Sequence, residues 1–459
     1  MQKRIESPQL DNALKGPTAL HDSTPSLSPA TESTPSFTVA AIADRKLRLA
    51  IGTGAAMAIL TSLALAPFAA APQFHPEPQL NSPVSLSRNL PAEVAVRIWS
   101  LSAPPTLRAI PVDATSRFRF CNSCNWVHQS GETEVRAVDD QTEFGAANAP
   151  QSSIEGVELS GAWRLELPSG IFASSADRAT ISASKSRLQV TLRMTMEEYV
   201  AGVLAAEARG FASSESLKAM AVAIRTYATR FRGRHRLDSF DFCDSTHCQA
   251  LRLVEASGRF LAAARATAGE ILMYDGKPAT TYYHRDCGGT TEGAGIAWRD
   301  VNAPYLTQQQ DPYCTHLAHD GWSTEISQSD LTHALTTSGI TPPPGWRAIE
   351  VVTRTPSGRA RKLRLVGASN LLIAAPALRL AVARAFGGDK VRSDLFDVRV
   401  EGSRYIFSGV GSGHGVGLCQ AGAAEMGTEG KSYDEILSFY YPGTTLHAPP
   451  QRPTVVSGN

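Results

Sequence analysis

The 459-residue sequence predicts an α+β (mixed α/β) globular region preceded by a separate apolar segment. Three observations carry that expectation. Residues 91–193 alternate apolar and polar side chains with a period of two. Residues 194–231 switch to a period of 3.6, and hairpin patterns and glycine-rich stretches continue to about 447. With 44 basic and 43 acidic residues the formal charge is +1, so the basic excess of a nucleic-acid-binding protein is missing.

Residues 1–48 are rich in Ser, Thr, Pro and Ala, show no periodicity, and read as a disordered tail. Arg45, Lys46 and Arg48 lead into Leu49–Ala71, an uncharged run long enough to span a bilayer as a helix. The basic cluster on its N-terminal side puts 1–48 in the cytoplasm and everything after 72 outside. Ala69-Ala70-Ala71 also suits a signal peptidase, although the long preceding tail favours a single-pass anchor. Residues 72–90 are a Pro-rich linker and 448–459 a tail.

Ala95–Trp99, Arg117–Phe120, Trp163–Leu167 and Leu188–Leu192 are expected strands of a small β unit, interrupted by a polar insertion near 128–155. Cys121 and Cys124 have CxxC spacing. Outside the cytoplasm a local disulfide is expected, with half of a zinc site as the alternative.

The central stretch runs from Met194 to Phe231. Thr195 with Glu198 forms a capping box, and Met196, Tyr199, Val200, Val203 and Leu204 make an apolar stripe. The next position on that stripe is Glu207. A carboxylate there is costly unless it is paired, protonated or used. Gly210 stops the helix, and Ser213 or Ser214 starts a second one with the stripe Leu217, Met220, Ile224, Tyr227 and Phe231. This second helix carries Arg225. Glu207 is therefore either a half-sheltered acid with a raised pKa or a structural partner of Arg225.

Downstream, His235, Cys243, His247 and Cys248 lie within fourteen positions. That spacing suits a tetrahedral zinc site or a Cys243–Cys248 disulfide. A short helix reaching Thr267, a strand Ile271–Tyr274, a turn at Asp275-Gly276 and a returning strand Thr280–Tyr283 lead to His284 and the loop Arg285–Thr291. Cys314 is the expected disulfide partner of Cys287. Further elements are a helix Ser329–Thr337, a hairpin at Pro356-Ser357-Gly358, a helix Pro376–Phe386 and a hairpin over Leu395–Phe407. The stretch Gly409–Ala423 alternates glycines around His414. It lacks the nucleotide-binding glycine spacing and suits a loop that presents backbone amides and His414 to a polar ligand. Helices from Gln420 and over Ser432–Tyr440 close the region.

Four motifs in order resemble the SpoIID/LytB family. They are Glu198–Val203 through Ala206-Glu207 with Leu217–Ala219 and Ala223–Tyr227; Cys243–Gln249; Tyr283–Gly289; and Gly413–Gly417 ending in Gln420–Ala423. The resemblance covers about 95–445, with 194–447 as the catalytic core. It implies a peptidoglycan lytic transglycosylase with Glu207 as the catalytic acid. Supporting or substrate-binding roles would fall to Arg225, Tyr227, His284, Gly413, His414 and Gln420. It further implies one zinc ion on His235, Cys243 and Cys248, with His247 able to replace His235. Expected partners are glycan strands, the membrane through 49–71, and an amidase if the chain follows the amidase-enhancer branch. Ala208-Arg209 stands where sporulation members often carry Met-Pro.

Overall fold

Alternation in the N-terminal third becomes two facing antiparallel sheets. In the first, Glu93–Ile98 pairs with Arg187–Thr195, which continues through Arg178–Ser184 to Val157–Ser160 and Arg117–Arg119. The second holds Thr106–Pro111, Thr133–Val138, Gln141–Gly145 and Trp163–Glu166. Their inward residues, such as Leu107, Val135, Leu165, Ile181 and Val190, are fully buried in a shared core. The expected polar insertion near 128–155 is in fact largely strand. Thr133–Val138 hides Thr133 and Val135 on one face while carrying charge on the other, and this disguised the alternation.

The computed structural model describes residues 93–145, 151–175, 178–253, 258–298, 301–315 and 321–448. The tail 1–48, the apolar segment 49–71, the linker 72–90 and all but the first residue of the tail 448–459 lie outside these. Among the described residues no helix is long and apolar enough to cross a membrane. A disulfide joins Cys121 to Cys124, one of the two expected readings.

The strand Arg187–Thr195 runs directly into helix α1 (Met196–Glu207). Thr195 is its N-cap, and the reciprocal Thr195/Glu198 capping box is formed. Helix α2 (Ser214–Phe231) starts from Ser213 and is buried along most of its length. Between them Arg225, with no exposed surface, donates to both carboxylate oxygens of Glu197 and to the carbonyls of Ala264 (2.8 Å) and Glu270 (3.2 Å). A guanidinium so enclosed needs this many acceptors to offset its desolvation.

The returning strand expected at Thr280–Tyr283 is displaced. Ile271–Tyr274 pairs instead with Lys277–Pro278 and Thr445–His447, while Tyr283–His284 pairs in parallel with Leu418–Cys419. A second apolar core, including Trp322, Leu331, Leu363, Leu378 and Phe407, gathers the elements between 322 and 407. Here the helices Gln328–Thr337 and Ala375–Phe386 and the hairpins Ala348–Arg354/Ala360–Val366 and Phe396–Glu401/Arg404–Gly409 match expectation within a residue or two. The sequence had been read as one catalytic core across 194–447, yet this inserted unit has an interior of its own.

Candidate active site

Glu207 is the last residue of α1 and is half-buried. Its carboxylate accepts from Gln420 Nε2 at 3.2 Å, and the Ala250 amide also bonds to it. Burial raises its pKa, and these two hydrogen bonds offset the rise only in part. Among the described residues no second carboxylate contributes to that shift.

Two tyrosines and a glutamine line the approach. Tyr199 donates from its hydroxyl to Gln249 Oε1 (3.0 Å), and Gln249 Nε2 donates to the Tyr283 hydroxyl (2.9 Å). Burial pushes the Tyr283 phenol well above its ordinary pKa, and the neighbouring Glu207 charge adds to this. Gln249 and Tyr283 lie inside the recognised motifs and Ala250 one residue beyond, but nothing in one-dimensional spacing pointed them at Glu207. Gln420, over two hundred residues from the acid, was singled out as a supporting residue. The structure places it in contact.

Arg225 and Tyr227 are not in this group. Arg225 is committed to Glu197, so neither the supporting role nor a Glu207–Arg225 pair is formed. Tyr227 is a core residue stacked near Phe231 and Tyr282, its hydroxyl accepting from Arg234 at 3.0 Å.

His284 and His414 form a second group. Their ring centroids are 5.6 Å apart, and Trp298 lies 5.0 Å from His414. His284 Nδ1 bonds the Val416 carbonyl (3.1 Å), while His414 Nδ1 accepts from the Val416 amide (3.1 Å). Burial, aided by the Arg359 charge, lowers His284 to about 3. Burial also lowers His414. Both imidazoles are therefore neutral hydrogen-bonding groups at neutral pH. Gly413 has φ +100°, and a Cβ there would fall 2.9 Å from His284 Cβ. Only glycine lets the loop come this close. Among the described residues His284 Nε2 has no hydrogen-bond partner. The parallel pairing of Tyr283–His284 with Leu418–Cys419 connects this pair to Gln420 and so to the acid.

The third group is His235, Cys243, His247 and Cys248, whose donor atoms all lie within 4.8 Å of one another. Cys248 Sγ is 3.3 Å from His235 Nε2 and 3.8 Å from His247 Nδ1; Cys243 Sγ is 3.7 Å from His247 Nδ1. The two thiols are not bridged. A hydrogen bond from Cys248, reinforced by His247 and Ser245, holds Cys243 down at about 2 as a thiolate. Two sulfurs and two imidazoles converging in this way fit tetrahedral zinc, with both histidines supplied where the sequence left a choice between them. Cys243 is fixed by its strand, Phe242–Cys243, which adds in parallel to Glu93–Ile98.

Comparison with known proteins places the chain in a family. The family model described as Stage II sporulation protein (SpoIID) matches residues 184–274, covering α1, α2 and the His/Cys group. An uncharacterized protein of Brachyspira hyodysenteriae is 32% identical over 260 residues, 56% of this chain and 68% of that protein. The chain belongs to the SpoIID family. Two Bacillus subtilis relatives carry functional names. Stage II sporulation protein D is 24% identical over 300 residues, covering 59% of this chain and 80% of the relative. An amidase enhancer is 27% identical over 294 residues, 53% of this chain but only 40% of that longer protein. A second family model, a domain of unknown function, matches 308–417, nearly the span of the inserted unit.

Proposed function

We propose that this SpoIID-family chain is an extracytoplasmic peptidoglycan lytic transglycosylase, held at the membrane through residues 49–71, with Glu207 as its single general acid and base. The observation that carries the reading is a half-buried carboxyl with a raised pKa to which, among the described residues, no second carboxylate contributes. Glycosidases that use water usually need two carboxylates. A transglycosylase needs one. Glu207 gives its proton to the glycosidic oxygen as the bond to C1 breaks. The 6-hydroxyl of the same muramic acid closes on C1, and its proton passes to the Glu207 carboxylate. Proton transfer of this kind contributes about 10²–10⁴-fold to rate.

Gln420 and the Ala250 amide would steady the carboxylate in its charged phase. His284 and His414, both neutral, are suited to hydrogen-bond sugar hydroxyls, and Trp298 offers an apolar face beside them. His235, Cys243, His247 and Cys248 would hold a zinc ion. Four protein ligands leave no open position, so bound zinc would be structural, fixing Gln249 and Ala250 next to Cys248. The amidase-enhancer relative favours a second reading, a glycan-gripping activator of an amidase that does not itself cut.

The deciding experiment is digestion of peptide-stripped peptidoglycan by wild type and Glu207→Gln, with mass spectrometry of the products. Gln preserves shape and removes the proton. Anhydro-ended fragments lost by at least about a hundredfold in the variant are expected. Glycan binding without cleavage by wild type would establish the activator instead.

A further inference from the structure

Cys287, Asp311, Cys314 and Cys419 come together in a place that the Glu207 chemistry does not use. One donor atom from each lies within 4.8 Å of all the others, and all four residues have 0% exposure. They arrive from three separate segments: the loop after Tyr283–His284, the short helix Pro312–Thr315 with the residue before it, and the strand end Leu418–Cys419. We propose that these residues form a second, closed tetrahedral zinc site, distinct from the His235/Cys243/His247/Cys248 group.

Geometry separates this from the disulfide expected between Cys287 and Cys314. None of the three cysteines is bridged, and Cys419 Sγ lies 3.6 Å from Cys314 Sγ. A disulfide brings its sulfurs to about 2.05 Å. A tetrahedron with zinc–sulfur bonds of about 2.3 Å has sulfur–sulfur edges of about 3.8 Å. The observed separation excludes a bridge and is compatible with such an edge. One bridge would also leave a third thiol and a carboxylate buried together, whereas a metal uses all four donors.

The surroundings are those of ligands held in place. Asp311 Oδ1 accepts from the Cys314 amide (3.0 Å) and Oδ2 from the Tyr440 hydroxyl (2.9 Å), which orients the carboxylate towards the sulfurs. Cys287 Sγ is 3.4 Å from Asp311 Oδ2. Cys419 Sγ accepts from the amides of Cys287 (3.2 Å) and Gly422 (3.5 Å), at the N-terminus of helix Gln420–Thr428, and these two donors fix the sulfur's position. A Cβ on Gly422 would fall 2.7 Å from Asp311 Oδ2, so the helix can approach only as glycine. Arg359, 3% exposed, donates to the Cys287 carbonyl at 2.8 Å and places a buried cation beside the cluster. An ordinary pocket of inert thiols would account for buried sulfur. It does not by itself explain why a carboxylate and three sulfurs from three segments form one donor set within 4.8 Å. Cys419 immediately precedes Gln420 and pairs with His284, so metal bound here would fix the strand end that carries Gln420 to Glu207.

The test is metal analysis of the full chain, purified without chelator from zinc-supplemented medium, with thiol and disulfide mapping of the same sample. Two zinc equivalents per chain are expected, falling to one in Cys419→Ser or Asp311→Asn and, separately, to one in Cys248→Ser. X-ray absorption at the zinc edge of the wild type supplies a readout that needs no folded variant, and it should show a mainly sulfur shell. A single equivalent lost with Cys419→Ser but kept in Cys248→Ser would uphold this site and remove the first. The proposal is overturned by zinc that ignores the Cys419 and Asp311 substitutions, by a metal-free wild type, or by any of the three cysteines mapped in a disulfide.

Discussion

Glu207 and Gln420 are the residue pair on which the proposed chemistry rests. The amide donates to the carboxylate and so favours the charged form, while burial opposes it. Gln420→Met keeps the volume and removes the donor. The carboxyl pKa should then rise, and because the protonated acid starts the reaction, the alkaline limb of kcat/KM should move to higher pH. A profile recorded over pH 4–9 decides this; an alkaline limb unmoved or shifted down would detach Gln420 from the acid. The glutamate was legible in the sequence because one charge interrupted an apolar stripe. Its partner's contact was not, since a 3.2 Å approach between residues 207 and 420 is set by the way Tyr283–His284 and Leu418–Cys419 pair.

Helices α1 and α2 are joined by Arg225, whose hydrogen bonds also reach the carbonyls of the segment 264–270. Removing one member of such a pair leaves a buried charge without compensation and costs about 3–5 kcal/mol. Arg225→Met removes the guanidinium and leaves Glu197, which keeps some contact with solvent, so the lower end of that range is expected by urea titration. The pH limbs of any remaining activity should stay in place. A shift in those limbs would mean that Arg225 acts on the acid after all. Sequence pattern set the ends of these helices well, because capping boxes and stop signals are local. It misassigned Arg225 because a helical wheel shows that a residue is inward, not which neighbour it meets.

Among the described residues two apolar cores coexist, one shared by the sheets and the helix pair, the other inside the unit between 322 and 407. Leu363 is fully buried in the second. Leu363→Ala should cost about 2–5 kcal/mol of stability in that unit. Hydrogen exchange should then quicken over 348–407 more than over 196–231. Equal loss in both would show that the cores unfold as one. The inserted unit matters to the site through a few reaches: Arg359 to the carbonyls of Cys287 and Thr290, Ser357 to Glu292, and Trp322 Nε1 to the Gly411 carbonyl. The last of these reaches the glycine-rich loop that carries His414, and the others hold the neighbouring segment 287–292.

By itself the sequence determined the mixed α+β class, most helices and hairpins, the Cys121–Cys124 bridge as one of two readings, and Glu207 as the residue out of place. All of these depend on periodicity, capping and short spacing, which act within a few residues along the chain. Only the tertiary structure decided that Arg225 and Tyr227 belong to the framework. It also decided that His235 and His247 both face the same two sulfurs, that Cys287 and Cys314 share their cluster with Cys419 and Asp311, and that 322–407 has its own interior. Each of these depends on which surfaces pack together, and packing between distant segments leaves no period in a single sequence.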